Sequence, residues 1–212
     1  MRIMIALIKR EYLEHRGAFL YAPSILLGIA VFFILFGVMA GEGDLSGEEI
    51  TLLSGSTISQ IGMGGAFVVW FIYLTFALFF YYADSFSADR RDNALLFWKS
   101  LPQSDLKILT SKALSGITIF AGIILGFAFL TSVLLYLIFV VFTIRHTGIT
   151  APGLFVAIGT FVQMGLVGTM YFVVSLLMLA PALAWVAGLS MIFRRWSIPL
   201  AFLIPGTIIL LE

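Results

Sequence analysis

The sequence contains no cysteine, two histidines and only 11% charged residues among 212. The missing thiols exclude disulfides, thiolate metal sites and thiol catalysis. Charge is also absent from whole stretches: Ala18 to Ala40, Ile61 to Ala83, Ala113 to Ile144 and Ala151 to Phe193 hold no Asp, Glu, Lys, Arg or His, and Gln163 is their only amide. Proton-driven and sodium-driven pumps place ionisable or coordinating groups at mid-depth, so any energy for transport must come from another polypeptide. There is no Gly-Lys pair and hence no phosphate-binding GxxxxGK[ST] loop, and neither HExxH nor GxSxG occurs. His15 and His146 lie at predicted interfaces, belong to no HExxH motif, and read as ordinary interfacial residues. A net charge of +1 gives no reason to expect a nucleic-acid partner.

What the chain has is apolar surface. Hydrophobic residues make up 61% and aromatics 15%, with mean hydropathy +1.12, against about 25% charged residues in an average soluble chain. The four charge-free stretches predict an all-α integral membrane protein, since about 20 apolar residues cross the hydrocarbon at 1.5 Å per residue. The fourth stretch is too long for one straight crossing and just sufficient for two. A last apolar piece, Ser197 to Leu211, contains Pro199 and Pro205 and predicts a partial fifth span.

Before the first run, Met1, Met4, Ile5, Ile8 and Tyr12 form a stripe, with Arg2, Lys9 and Arg16 beside it and Glu11 and Glu14 roughly opposite. The pattern predicts an interfacial helix over 1–17, its basic side chains at the phosphates and its acidic ones in water; the plainer alternative is a charged start to the first span. The first run, Ala18 to Ala40, is long for a signal sequence and has no small-residue cleavage site, which predicts a retained segment. Four basic residues lie in this segment, five in 84–112, none in 41–60 and one in 144–152. The asymmetry predicts a cytoplasmic N-terminus, a cytoplasmic 84–112 segment and an outward 41–60 segment carrying Glu42, Asp44, Glu48 and Glu49. With Arg194 and Arg195 also inside, the 151–193 stretch crosses once, part of it lying at the outer surface; two crossings are also compatible with the rule. Gly122 and Gly126, and Ala180, Ala184 and Gly188, have the spacing of close helix contacts, though such spacings also arise by chance in spans. Pro181 predicts a kink.

The longest polar stretch runs from Asp84 to Asp105. Asp89 to Ser100 predicts a short helix, with acids in its first turn, Ala94, Leu95, Trp98 and Leu101 along one side, Lys99 near its end and Pro102 stopping it. Ser104 is placed to cap the next helix, which carries Lys107 and Lys112 into the third span. The Trp/Leu face must be covered by the chain's own span ends, by the lipid interface or by a groove on a soluble partner.

These features resemble the permease subunits of ABC transporters of the type-2 exporter superfamily. The match runs through Lys9-Arg10-Glu11, then Asp89-Arg90-Arg91-Asp92-Asn93-Ala94-Leu95, Lys99-Ser100-Leu101-Pro102, Ser104-Asp105 and Ser111-Lys112. It continues through Leu179-Ala180-Pro181-Ala182-Leu183-Ala184-Trp185, Ser190, Arg194-Arg195, Pro199 and Ile204-Pro205. The resemblance implies an elbow helix with Lys9, Arg10 and Glu11 ahead of a permease domain over 18–212. It also implies a cytoplasmic coupling helix between spans two and three, with Asp89, Arg90, Arg91, Asp92, Leu95, Trp98, Lys99, Leu101 and Pro102 docking on a separate ATPase. Six spans are expected in the family against four and a partial fifth here, which implies a missing C-terminal part.

The implied protein is not itself an enzyme and binds no cofactor: ATP and Mg belong to the partner ATPase subunits. Its other partners are a second permease copy, as homodimer or heterodimer, and lipid of the inner (plasma) membrane. Tyr73, Phe76, Phe79 and Phe80 are candidates to line an apolar pathway, or are ordinary lipid-facing aromatics. The alternative from another class is a membrane scaffold or assembly factor that binds a soluble partner without transport. An intramembrane enzyme is disfavoured by the missing ionisable groups.

Overall fold

The computed structural model describes residues 2–40, 54–91, 105–145, 151–193, 199–201, 203 and 207. All elements among them are helical: α1 (Arg2–Arg16), a π-helical segment Gly17–Tyr21, α2 (Ala22–Ala40), α3 (Gly55–Arg91), α4 (Asp105–Leu114), a second π-helical segment Ser115–Phe120, α5 (Ala121–Arg145) and α6 (Leu154–Ile192). Helices are what such apolar runs must form, because hydrocarbon offers backbone N–H and C=O groups no partner outside their own segment. Several hydroxyls in the runs are absorbed by the backbone: Ser132 donates to the Ala128 carbonyl at 2.9 Å and Thr169 to the Gly165 carbonyl at 2.7 Å. At the start of α3, Ser54 Oγ accepts from the Thr57 N–H at 3.3 Å and caps the helix.

Four helical stretches are long and apolar enough to cross a membrane: Met4–Ala40, Gly55–Asp84, Leu109–Ile144 and Leu154–Ile192. The last corrects one expectation. The stretch is a single uninterrupted helix, continuous through Pro181, so its excess length is not a separate surface segment. At 1.5 Å per residue its 39 residues extend about 58 Å. The second correction is at α3, which runs 37 residues and takes in Asp89, Arg90 and Arg91, where a new helix was expected to begin. Asp92, Leu95, Trp98, Lys99, Leu101 and Pro102 lie outside the described residues, as does the cap Ser104; α4 begins at Asp105, where that cap predicts it.

The chain divides into two compact units. One comprises residues 17–72 and 123–173. Its interior is aromatic: Phe67 meets Phe129 edge-on with centroids 5.2 Å apart, Phe129 meets Phe161 at 5.7 Å, and Trp70 stacks on Phe127 at 5.3 Å. Two glycines of α6 admit these rings. A Cβ on Gly165 would stand 2.7 Å from the Phe129 ring, and one on Gly168 would stand 2.6 Å from that of Phe67. The close packing thus occurs at Gly165 and Gly168, whereas Gly122 and Gly126 face open space.

The other unit comprises residues 1–16, 73–122 and 174–212. Here α1 packs on α4 and on the π-helical segment Ser115–Phe120. Ala83 of α3 joins Val186 and Leu189 of α6 and Ala201 in a small core, with Phe79 and Leu200 against it. The covered face of α1 is the third correction. Met4, Leu7, Ile8, Glu11, Tyr12 and His15 are the covered positions while Ile5 is exposed, so the covered face keeps Met4, Ile8 and Tyr12 of the expected stripe and takes in Leu7, Glu11 and His15.

Candidate functional site

Polar side chains concentrate where α1, α3 and α4 meet. Glu11 sits one turn before His15 on the covered face of α1, Tyr81 and Tyr82 end the apolar run of α3, and Lys112 lies in the last turn of α4. Glu11 and Lys112 are both more than nine-tenths buried. Glu11 was expected to face water; it is instead turned inward because Lys112 Nζ lies 3.4 Å from its Oε1. Its other oxygen, Oε2, accepts from the Tyr81 hydroxyl at 3.1 Å, and the same hydroxyl lies 3.2 Å from the Lys112 carbonyl. His15 Nε2 stands 3.8 Å from Oε2, and the His15 ring meets Tyr81 edge-on at 4.8 Å and Phe120 at 6.2 Å. Glu14 keeps the water-facing position expected of it, 3.8 Å from Arg10 Nε.

The cluster is structurally costly to take apart. A buried carboxylate and ammonium tolerate loss from water only while each keeps its partner, and removing one partner leaves an uncompensated charge worth about 3–5 kcal/mol. Beside it, the Tyr82 hydroxyl donates to the Ala113 carbonyl at 2.8 Å, and its ring lies so close over Gly116 that a Cβ there would stand 2.7 Å from Cζ. The lack of a side chain at Gly116 lets α3 approach the π-helical turn, and Ser115 and Phe120 in that turn are fully buried. Among the described residues there is no group of three side chains placed to hold a metal ion, and the Glu11 carboxylate, the Lys112 ammonium and the Tyr81 hydroxyl are engaged with one another. The site is a clamp that fixes α1 to α3 and α4.

Of the three residues of the expected elbow, Glu11 alone enters the clamp, while Lys9 and Arg10 are exposed; Lys112 of the Ser111-Lys112 match and His15, read as an ordinary interfacial residue, enter it too. Tyr73, Phe76 and Phe80 share a helical face of α3, where Phe76 and Phe80 are exposed, while Phe79 turns toward the Ala83 core and meets Phe80 edge-on at 5.7 Å. Lys112, Tyr81 and His15 were not singled out as partners of Glu11. Glu11 stands between Arg10 and Tyr12 in a segment that also holds Lys9, Glu14, His15 and Arg16, and Lys112 stands between Ser111 and Ala113, so no local pattern marks the two as a pair.

No protein-family model, curated protein or solved structure matches this chain. The fold defines its class: a multi-pass helical membrane protein with four spans among the described residues.

Proposed function

We propose that the chain is the membrane-spanning permease subunit of an ATP-driven exporter, working as a dimer with two separate ATPase subunits. One observation carries the reading: the two helices that flank the proposed coupling segment, the C-terminal part of α3 and α4, belong to the same compact unit as α1 and are joined to it through Glu11, by Tyr81 ten residues before the end of α3 and by Lys112 in the last turn of α4. A push on residues 92–104 from the cytoplasm would reach both helices and carry α1 with them as one body. In this reading α1 is the elbow helix, and Asp89, Arg90 and Arg91 extend α3 rigidly toward the ATPase. ATP and Mg are bound by that partner. Charge-free spans fit a mechanism in which nucleotide-driven closure tilts helices and no proton or sodium relay is used. The exposed Phe76 and Phe80 face of α3 is where a second copy would complete an apolar pathway.

The test is copurification and energetics. An ATPase encoded beside this chain should copurify with it from membranes, and transport in proteoliposomes should require ATP and survive a protonophore. Loss of transport on collapsing the proton gradient at constant ATP overturns the mechanism, and a copurifying soluble partner without ATPase activity favours a scaffold.

A further inference from the structure

Two apolar grooves lie side by side in the unit formed by residues 17–72 and 123–173. The larger, about 240 Å³, is bounded by Ile34 and Val38 of α2, Gly62 of α3, and Ile138, Phe139 and Phe142 of α5. The smaller, about 180 Å³, is bounded by Leu154, Ile158 and Phe161 among others. Met63 and Tyr136 line both grooves and so form the wall they share. The larger also includes Ser59, whose side chain is more than nine-tenths buried and whose hydroxyl makes no hydrogen bond.

Ser59 shares with Ser190, which lines neither groove, a buried hydroxyl without a partner, and so differs from most hydroxyls among the described residues. Ser24, Ser115, Ser132 and Thr131 each donate to the carbonyl four residues earlier, whereas Ser59 leaves the Gly55 carbonyl alone. A buried hydroxyl without a partner is destabilising, so an acceptor supplied from outside would be held strongly. Water is a poor candidate, because an ordered water needs two to four polar partners and the walls here are hydrocarbon. The Tyr136 hydroxyl is already committed to the Pro152 carbonyl at 3.2 Å. Depth narrows the choice further. Ser59 is four residues into α3, about 6 Å along the axis, and the apolar run begins two residues later at Ile61. That is the level at which a bilayer passes from headgroup to hydrocarbon, where the ester carbonyls of glycerolipids sit.

We propose that this pair of grooves binds one two-chain, ester-linked glycerolipid, with Ser59 donating to an ester carbonyl and one hydrocarbon chain on each side of the Met63 and Tyr136 wall. The surrounding solvent supplies the ligand, since the spans stand in lipid. The site lies within one chain and does not rest on the exporter reading.

The experiment uses the full chain in phosphatidylcholine nanodiscs doped with a diacyl phosphatidylcholine that carries a photoreactive diazirine in one chain, with crosslinked peptides mapped by mass spectrometry. Crosslinks are expected at residues 34–38, 58–63 and 135–142 in excess over the lipid-exposed stretch Leu166–Met170. Gly62→Leu fills the larger groove, and a Cβ there meets nothing within 4 Å, so the fold should hold. It should remove the excess, while Gly65→Leu, equally unobstructed and outside both grooves, should not. Ser59→Ala should lower labelling by about fivefold, the worth of one neutral hydrogen bond, and an ether-linked probe without the carbonyl should label the wild type as weakly as the ester probe labels Ser59→Ala. Equal labelling of grooves and exposed stretch, or no effect of Gly62→Leu, would mean surrounding lipid only and overturn the site. Equal labelling of the wild type by ester and ether probes would overturn the role of Ser59.

Discussion

The Trp70 indole N–H donates to Thr131 Oγ1 at 2.7 Å, and that hydroxyl passes its own proton to the Phe127 carbonyl at 2.7 Å, one turn earlier on the helix whose Phe127 ring stacks on Trp70. Thr131 therefore joins α3 to α5 by accepting from an indole donor in an apolar interior. Thr131→Val keeps the shape and removes the acceptor, leaving the indole N–H buried and unpaired at a cost of about 1–3 kcal/mol. The variant should unfold several degrees lower in detergent, as followed by fluorescence-detected size exclusion on heating. Thr131→Ser should stay near wild type. Equal stability of Thr131→Val and wild type would show that the bond contributes nothing.

Two glycines on neighbouring turns should respond in opposite ways. At Gly116 an added methyl group runs into the Tyr82 ring, whereas at Gly122 it meets nothing within 4 Å. Replacing a helical glycine by alanine ordinarily stabilises by about 1 kcal/mol, so Gly122→Ala should raise the unfolding temperature or leave it unchanged. Gly116→Ala must displace Tyr82 from the Ala113 carbonyl and should lower it. The same melting assay on the two variants checks both signs.

The Glu11 and Lys112 pair predicts strong non-additivity. Glu11→Leu removes the carboxylate beside the buried Lys112 ammonium and Lys112→Met removes the cation beside the buried Glu11 carboxylate, each expected to cost up to about 3–5 kcal/mol and to lower the yield of folded protein. The double variant removes both charges and should recover most of that loss, which a double-mutant cycle on unfolding temperatures will read as coupling. Simple addition of the two losses would mean that the pair is not linked in solution. If the clamp also carries motion from the coupling segment, the double variant should be well folded yet poor at ATP-driven transport.

The four apolar runs were legible in the sequence because charge was excluded from them, but hydrocarbon length left the fourth open to one crossing or two, a choice that the single helix Leu154–Ile192 narrows. The ends of the helices were not legible. Asp89 to Arg91 carry the composition of a helix start, yet α3 continues through them because nothing from Ala83 to Arg91 breaks a helix: neither Pro nor Gly occurs there. The face of α1 was misread for a different reason. Periodicity of apolar residues assumes that the buried side is apolar, whereas α1 buries Glu11 and His15 against partners about 70 and 100 residues away in the chain. Pairing at that separation leaves no mark in a local pattern. The glycines show the same limit, since Gly122 and Gly126 have the recognised spacing and Gly165 and Gly168 have the facing rings.

Orientation in the membrane follows from the basic-residue asymmetry alone. Glu48 should lie outside and Asn93 inside. With no native cysteine to remove, Glu48→Cys and Asn93→Cys can be labelled directly with an impermeant maleimide on intact cells. Labelling is expected for the first and not for the second until the cells are opened; the reverse pattern would invert the proposed topology.

The docking segment offers the most direct test of partnership. Large aromatic residues carry a disproportionate share of interface energy, and truncating an anchor costs about 2 kcal/mol or more, equivalent to roughly thirtyfold weaker binding. If Leu95, Trp98 and Leu101 fill a groove on the ATPase, Trp98→Ala should leave the chain inserted at normal abundance and lower ATPase retention by about that factor. Arg90→Ala should matter less, because exposed ion pairs are worth under about 1 kcal/mol. If Trp98 instead covers the chain's own span ends, Trp98→Ala should reduce folded protein while the remaining molecules bind the ATPase normally. Abundance and retention measured together for the two variants distinguish these outcomes. Normal retention by Trp98→Ala would remove this residue from the interface and leave α3 and α4 to be engaged elsewhere along 92–104.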